Sequence, residues 1–331
     1  MKKFLVAFLS VLFGVFETSY AQSTLLASLN HNGEITVFYG ATALREAHAA
    51  ATHGDVISLS SGSFLSVDIE KAVTIRGAGM ELDSVRNIEP TIITNDFKIT
   101  IPDGVQQRLI LEGIYSDASI KCYCALINPQ FMKCRFYRLE TGTSYDNQYM
   151  KDAQFIHCRI SHTLNIQGNS SASLVNCVLF NLLIKNSTIQ NCVIKLSTSS
   201  AGFLNNYITN CVLFSTNNAV VSEENIAYNC VSVPNMFSIY KNNNTNTYST
   251  YEEIFKTFNN KDLKFDSENF ELTDEAKTKF LGIDGTQVGI YGGNLPFSSI
   301  PTNPQIIKCN VAGKSTADGK LSIDVEVKSA E

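Results

Sequence analysis

One short phrase recurs through the middle of the chain and constrains its fold more than any other feature. An apolar residue and one residue of variable type are followed by Asn, Cys and an apolar pair, as at 189–194 and 208–213. Further copies lie at 175–179, at 226–231 and, in looser form, at 155–160. The cysteines of these copies are 19, 15, 19 and 19 residues apart. A period of this length is typical of a solenoid, in which each repeat buries its apolar edge against its neighbours.

The order of residues within the phrase favours stacked parallel strands. The apolar residue three before Cys shares its strand parity with Asn, whereas Cys shares its parity with the aliphatic residue two positions later. This change of parity requires a bend between Asn and Cys, and Asn tolerates the left-handed conformation that such a bend uses. We expect the stacked Asn side chains to hydrogen-bond to one another along the solenoid axis. A leucine-rich solenoid would need a recurring L-x-x-L-x-L before each Asn, which is absent.

The first 21 residues have the pattern of a signal peptide. Two lysines precede an apolar run at 4–16, and residues 19–21 form a small-x-small cleavage site before Gln22. The apolar run is too short to span a bilayer, and no later stretch is long and apolar enough. We therefore expect export to the extracellular space, the cell surface or the periplasm of a Gram-negative bacterium, without a transmembrane segment.

Nine cysteines in an exported chain would ordinarily indicate disulfides. Their regular placement after Asn favours a reduced column instead, because equivalent positions of successive turns stack about 4.8 Å apart and a thiol fills a small core space. Cys122 and Cys124 share one face of a strand, and with Cys134 or Cys158 they leave a metal site as the alternative to core packing. Since no matching His pair follows, we expect core packing and no metal.

Charge limits the choice of partner and of chemistry. Without the leader the chain has 24 basic and 30 acidic residues, a net charge of 24 − 30 = −6, and it has no basic stripe. Nucleic acid is therefore not an expected partner. Residues 153–222 contain no Asp or Glu, so neither the paired carboxylates of a glycosidase nor an acidic Ca²⁺ site can be built from them alone.

The ends of the chain read as caps. A helix is expected from Ala43, with Thr42 as N-cap, an Ala-rich apolar face and Gly54 as its terminating glycine. A second short helix is expected at 250–257, where Tyr251, Ile254 and Phe255 would close the far end of the solenoid. Residues 305–329 read as two strands around Asp318-Gly319.

Several of these stretches resemble a known superfamily. The stretches 43–47, 54–57, 61–64 and 73–79 look like the entry of right-handed parallel β-helix proteins of the pectate-lyase-like superfamily. The Asn phrase is similar to its asparagine ladder. The segment 270–293 resembles the terminal turn of many bacterial secreted members, with Asp274-Glu-Ala276 in place of the usual Ser-Pro-Ala. The resemblance covers about residues 40–293 and implies architecture more than function, because lyases, hydrolases, adhesins and binding proteins share this fold.

Candidate functional residues concentrate around one polar loop, at 141–149, where aromatic and charged side chains coincide. The candidates for catalysis are Asp152, Arg159 and His162. The candidates for ligand binding are Arg135, Tyr137, Glu140, Tyr145, Asp146 and Tyr149. Alternatively, these residues have no functional role and are solvated side chains on the exterior of strands.

The sequence therefore predicts an all-β chain, a right-handed single-stranded parallel β-helix (solenoid) with an N-terminal capping helix. The expected division is a signal peptide at 1–21, the β-helix domain at 22–294 and a C-terminal β-hairpin appendage at 295–331. The expected function is a glycan-associated binding or surface protein, with a polysaccharide or cell-surface glycan as partner. The alternatives are a polysaccharide lyase or glycoside hydrolase with its site at 112–162, and a structural or adhesive surface spike. Ca²⁺ is expected only for a lyase, and no other cofactor is expected.

Overall fold

The structure is a computed structural model, and the chain forms the parallel β-solenoid that the repeat predicts, with about nine turns. The leader predicted at 1–21 lies outside the described residues. The structure describes residues 25–142, 148–196, 202–215, 221–237, 245–257, 268–302, 304–311, 318–320 and 323–328.

Two long sheets form the walls of the solenoid. Sheet A has eleven strands, in spatial order β2 (Glu34–Tyr39), β1 (Leu26–His31), β3 (Val56–Leu59), β5 (Thr74–Arg76), β8 (Ile110–Glu112), β11 (Gln130–Met132), β14 (Ala153–Ile156), β16 (Ala172–Val175), β19 (Thr188–Gln190), β21 (Tyr207–Thr209) and β23 (Ile226–Tyr228). Sheet B has twelve strands, β25 (Thr247–Tyr248), β24 (Val231–Val233), β22 (Val212–Ser215), β20 (Val193–Leu196), β17 (Val178–Phe180), β15 (Arg159–Ile166), β12 (Arg135–Thr141), β9 (Ile114–Cys122), β6 (Thr91–Thr94) and β4 (Gly62–Leu65), with β18 (Leu182–Ile184) beside β15 and β7 (Phe97–Ile99) beside β9.

The remaining elements are small. A third wall holds the parallel pair β10 (Ala125–Ile127) and β13 (Tyr149–Lys151), and the antiparallel pair β26 (Gln305–Val311) and β27 (Ile323–Lys328) forms a separate two-stranded sheet. The helices are α1 (Ala43–Ala50), α2 (Tyr251–Ile254) and α3 (Asp274–Lys279). Among the described residues no helix is long enough to cross a membrane.

Helix α1 packs at the N-terminal end of the solenoid, as expected of a cap. Its buried face contains Ala43, Leu44 and Ala47, which belong to the main core. The helix ends at Ala50, earlier than the predicted stop at Gly54, because Ala51 is already extended. Gly54 has a φ of +94° and its N–H donates to Ala72 O, so this glycine forms the turn into β3.

The bend predicted inside the Asn phrase is confirmed. Asn176, Asn191, Asn210 and Asn229 have φ between +49° and +55°, and His157 takes the same conformation at +54°. The sequence analysis missed the copy in the preceding turn, where Lys133 occupies the Asn position with a φ of +51°. These residues form the corner between sheets A and B.

The cysteines after this corner point into the core and form a column. From Cys177 to Cys230 each sulfur accepts a backbone N–H from the cysteine of the preceding turn, as in Cys177 N to Cys192 Sγ at 3.3 Å and Cys192 N to Cys211 Sγ at 3.3 Å. The sulfur therefore satisfies an N–H at the bend as well as filling space. The eight cysteines whose side chains the structure describes are all buried and form no disulfide.

The C-terminal segment 281–302, here called the strap, runs back along the Asn corner from the last turns towards the first. Asn229 Nδ2 donates to Leu281 O at 3.1 Å, and Asn176 Nδ2 donates to Ile290 O at 2.7 Å. Near the strap's end, Thr302 N donates to the buried Glu112 at 2.8 Å. The segment that resembles a terminal turn thus lies on the side of the solenoid.

The strap changes the expected role of the asparagines. Within the corner, Asn210 Nδ2 lies 3.4 Å from Asn191 Oδ1, the ladder bond that the sequence predicted. Asn176 and Asn229 instead bond to strap carbonyls. Residues 295–302, which the sequence analysis assigned to the appendage, belong to the strap, because Leu295 O contacts His157 Nε2 at 3.0 Å.

A second core lies outside sheet B. In the last four copies of the phrase the residue directly after the cysteine is a valine that points outward, and these valines pack against α2, α3 and the strap. Tyr251, Ile254 and Phe255 were expected to close the far end of the solenoid, but they cover this outer face instead. The members of this core include Val178, Val193, Val212, Val231, Phe214, Phe270, Phe280 and Ile290.

Candidate functional site

The structure brings together only part of the predicted site. Tyr137, Arg138, Glu140 and His162 meet on the outer side of β12 and β15, where both strands bend. Of these, Arg138 was noted in the sequence only as part of the charged group around the polar loop. The predicted ligand-binding residues Tyr145 and Asp146 lie outside the described residues.

The centre of this group is an arginine–histidine contact. Arg138 Nη2 lies 3.3 Å from His162 Nδ1, and Thr163 Oγ1 lies 2.8 Å from the same nitrogen. Because a guanidinium can only donate, Nδ1 is an acceptor here and the ring proton resides on Nε2. Burial and the Arg138 charge lower the pKa of His162, while Glu140 opposes the shift. His162 is therefore a neutral hydrogen-bond donor near pH 7.

Aromatic rings extend the group along the solenoid axis. The Tyr137 and His162 rings have centroids 4.7 Å apart, and Tyr137 is 39% exposed. The Arg135 guanidinium lies 4.8 Å from the centroid of the Tyr115 ring. On the other side, Lys195 Nζ lies 4.7 Å from the centroid of the Phe180 ring.

We call these seven side chains the aromatic–basic face. Its members are Tyr115, Arg135, Tyr137, Arg138, His162, Phe180 and Lys195. They come from the neighbouring strands β9, β12, β15, β17 and β20, so the face extends over about 19 Å along the axis. Its basic members are Arg135, Arg138 and Lys195, and Glu140 Oε1 lies 3.8 Å from Arg138 Nε.

Two of the predicted catalytic residues do not contact His162. Arg159 is 7% exposed, its Nε lies 2.7 Å from Glu81 Oε1, and its guanidinium packs 5.0 Å from the centroid of the Phe297 ring. It therefore holds the strap. Asp152 occupies a corner with a φ of +55°, where its carboxylate accepts from Ser171. Neither residue joins His162.

A separate cavity opens between the third wall and the loop that precedes β8. Its volume is about 770 Å³, and its lining includes Asp103, Arg108, Asn128, Tyr149 and Gln154. Tyr149, a predicted ligand-binding residue, therefore lies at this cavity. The sequence signal for it was the polar stretch 102–108, which the sequence analysis did not single out.

The described residues offer no metal centre. Within them no group of three or more His, Cys, Asp and Glu side chains is placed to hold a metal ion. Cys122 Sγ and Cys124 Sγ lie 3.8 Å apart, and both thiols are buried. Their nearest partners are backbone carbonyls, as for the other core cysteines.

Comparison with protein-family models gave no match for this chain. No similar protein was found among curated proteins or among solved structures. The fold and the side-chain geometry therefore carry the functional argument.

Proposed function

We propose that this chain is an exported glycan-binding protein that holds an acidic polysaccharide on the aromatic–basic face. The observation that supports it is the succession of rings and cations on five neighbouring strands. Aromatic faces stack on sugar rings, and cations with a histidine donor pair with carboxylates. The same proposal includes export, which the leader predicts. It also includes a right-handed solenoid of the pectate-lyase-like superfamily, which the sequence resemblance implies.

The geometry favours binding over catalysis. A general base needs a free lone pair, but His162 Nδ1 already faces Arg138 and Thr163. A guanidinium donates hydrogen bonds and has no lone pair to accept a proton, so Arg138 can hold an anion but does not serve as a base. Beside the face, Glu140 Oε1 lies 3.8 Å from Arg138 Nε, so this carboxylate pairs with a cation, whereas a glycosidase uses two carboxylates that act together.

The test is a panel of uronate-containing and neutral polysaccharides, assayed for retention of the chain and for cleavage with and without Ca²⁺. We expect retention on uronate-containing polymers that weakens as salt rises, with no new reducing ends and no unsaturated uronates. Cleavage of any polymer would overturn the binding proposal in favour of a lyase or hydrolase. An absence of both binding and cleavage would favour the structural or adhesive spike.

A further inference from the structure

Strand β2 ends sheet A, and its outer edge has no partner strand within the described part of the chain. The strand pairs with β1 through a two-residue turn at Asn32 and Gly33, with His31 opposite Glu34. An edge of this kind presents a row of unpaired backbone groups to any strand that can reach it.

The hairpin geometry identifies which backbone groups are free. Gly40 N donates to Leu25 O at 2.9 Å. Since hydrogen-bonded positions alternate along an antiparallel strand, the residues of β2 that bond towards β1 are 34, 36, 38 and 40. The alternate residues, Ile35, Val37 and Tyr39, therefore direct both N–H and C=O away from β1.

The same three residues carry exposed apolar side chains. Ile35 is 66% exposed, Val37 is 39% exposed and Tyr39 is 61% exposed, and all three lie on one face of the strand. Phe38, on the opposite face, packs against the core. The strand Glu34–Tyr39 has no Lys, no Pro and no bulge, the features by which edge strands usually prevent pairing.

We propose that β2 pairs antiparallel with β2 of a second copy of this chain, across a twofold axis at Val37. In this register Val37 lies opposite Val37 of the second copy, and Ile35 lies opposite Tyr39. The three residues with free backbone groups on each copy then face each other, and their apolar side chains share one face. Sheet A continues from one copy into the other.

Charge supports a second copy as the occupant. Glu34 is the one ionisable carboxylate of the strand, and the twofold register places it opposite Gly40 rather than opposite its own equivalent. Like charges directly opposite each other would weaken such a pair, and this register contains none. The strand is thus complementary to itself.

The experiment is sedimentation of the purified, processed chain over roughly a hundredfold range of concentration. We expect a reversible monomer–dimer equilibrium, and protection of the 35, 37 and 39 amides from hydrogen exchange that rises with the dimer fraction. Val37→Pro removes the outward N–H without touching the bonds to β1, and Val37→Lys places two cations on the axis. Each should raise the dimer dissociation constant at least about tenfold.

Val85→Lys is the matched control, because Val85 is 93% exposed in a turn and should leave the dimer unchanged. Thermal unfolding of each variant checks that the hairpin still folds. A monomer at every concentration would overturn the proposal, and protected edge amides in that monomer would assign the edge to another segment of the same chain. A dimer that survives both Val37 variants would also overturn it.

Discussion

The asparagines at the corner between sheets A and B combine two requirements that few residues meet. They adopt a left-handed backbone, which costs most other residues about 1 kcal/mol or more. Asn176 also donates from Nδ2 to Ile290 O at 2.7 Å and to Gly292 O at 2.8 Å. Glycine would satisfy the first requirement alone, so the second one accounts for Asn at this position.

Asn176→Ala should therefore cost about 2–4 kcal/mol of unfolding free energy, because it adds backbone strain and removes two buried hydrogen bonds to the strap. Ile290 O keeps the Phe297 N–H as a donor, whereas Gly292 O loses the donor that Asn176 supplies. Asn186→Ala is the control, since Asn186 is exposed and has a similar φ of +53°. It should cost only the strain, about 1 kcal/mol. Chemical denaturation measures both, and equal costs would contradict the role of the strap bonds.

The buried His48 should make the unfolding free energy of the chain depend on pH. Burial, together with the charge of Lys71, lowers the pKa of His48 to about 4 in the folded chain. Below pH 6.5 the unfolded chain takes up a proton that the folded chain refuses, so the unfolding free energy should fall between pH 6.5 and 4, by up to roughly 3 kcal/mol. Urea titrations across this range measure the slope, which His48→Leu should reduce. An unchanged slope in that variant would exclude His48 as its source.

At the scale of elements, the strap could not be predicted from the phrase that it covers. The phrase predicted the bend, because parity and left-handed tolerance are local properties of a few residues. The strap residues that bond to its asparagines lie from 52 residues away, as in Asn229 with Leu281, to more than a hundred, as in Asn176 with Ile290, and no local pattern marks them. For the same reason the outward valines were not recognised as one wall of a second core.

A substitution at Gly292 tests whether the strap must lie as close to the Asn corner as it does. A Cβ at Gly292 would lie 1.8 Å from Gln287 O and 2.6 Å from Asn191 Nδ2, and both groups are packed. Gly292→Ala should release the strap, cost more than about 2 kcal/mol and raise hydrogen exchange across 281–302. Gly285→Ala is the control, because no atom lies within 4 Å of its Cβ position and only its φ of +77° opposes the change. Equal exchange in the two variants would contradict this account.

At the scale of the whole molecule, the sequence predicted the solenoid and some, but not all, members of the aromatic–basic face. Arg135, Tyr137, Glu140 and His162 were predicted because charges and rings cluster near one loop. Phe180 comes from a later turn, and only the stacking of strands places it beside His162, with Lys195 next to it on the following strand. Lys195 was expected only to extend the site by hydrogen bonding. The contacts of Arg159 with Glu81 and Phe297 could not be predicted, because a sequence does not show which polar side chains a distant segment covers.

The most direct test of the central claim is the affinity of the chain for a polyuronate that it retains. Tyr137→Ala with Arg138→Ala removes a ring and a cation from the centre of the aromatic–basic face. Tyr123→Ala with Arg108→Ala removes the same two chemistries from exposed positions outside it. Calorimetric titration should show at least about a tenfold loss for the first pair and none for the second. Equal affinities for all three proteins, or a loss confined to the second pair, would contradict the assignment of binding to this face.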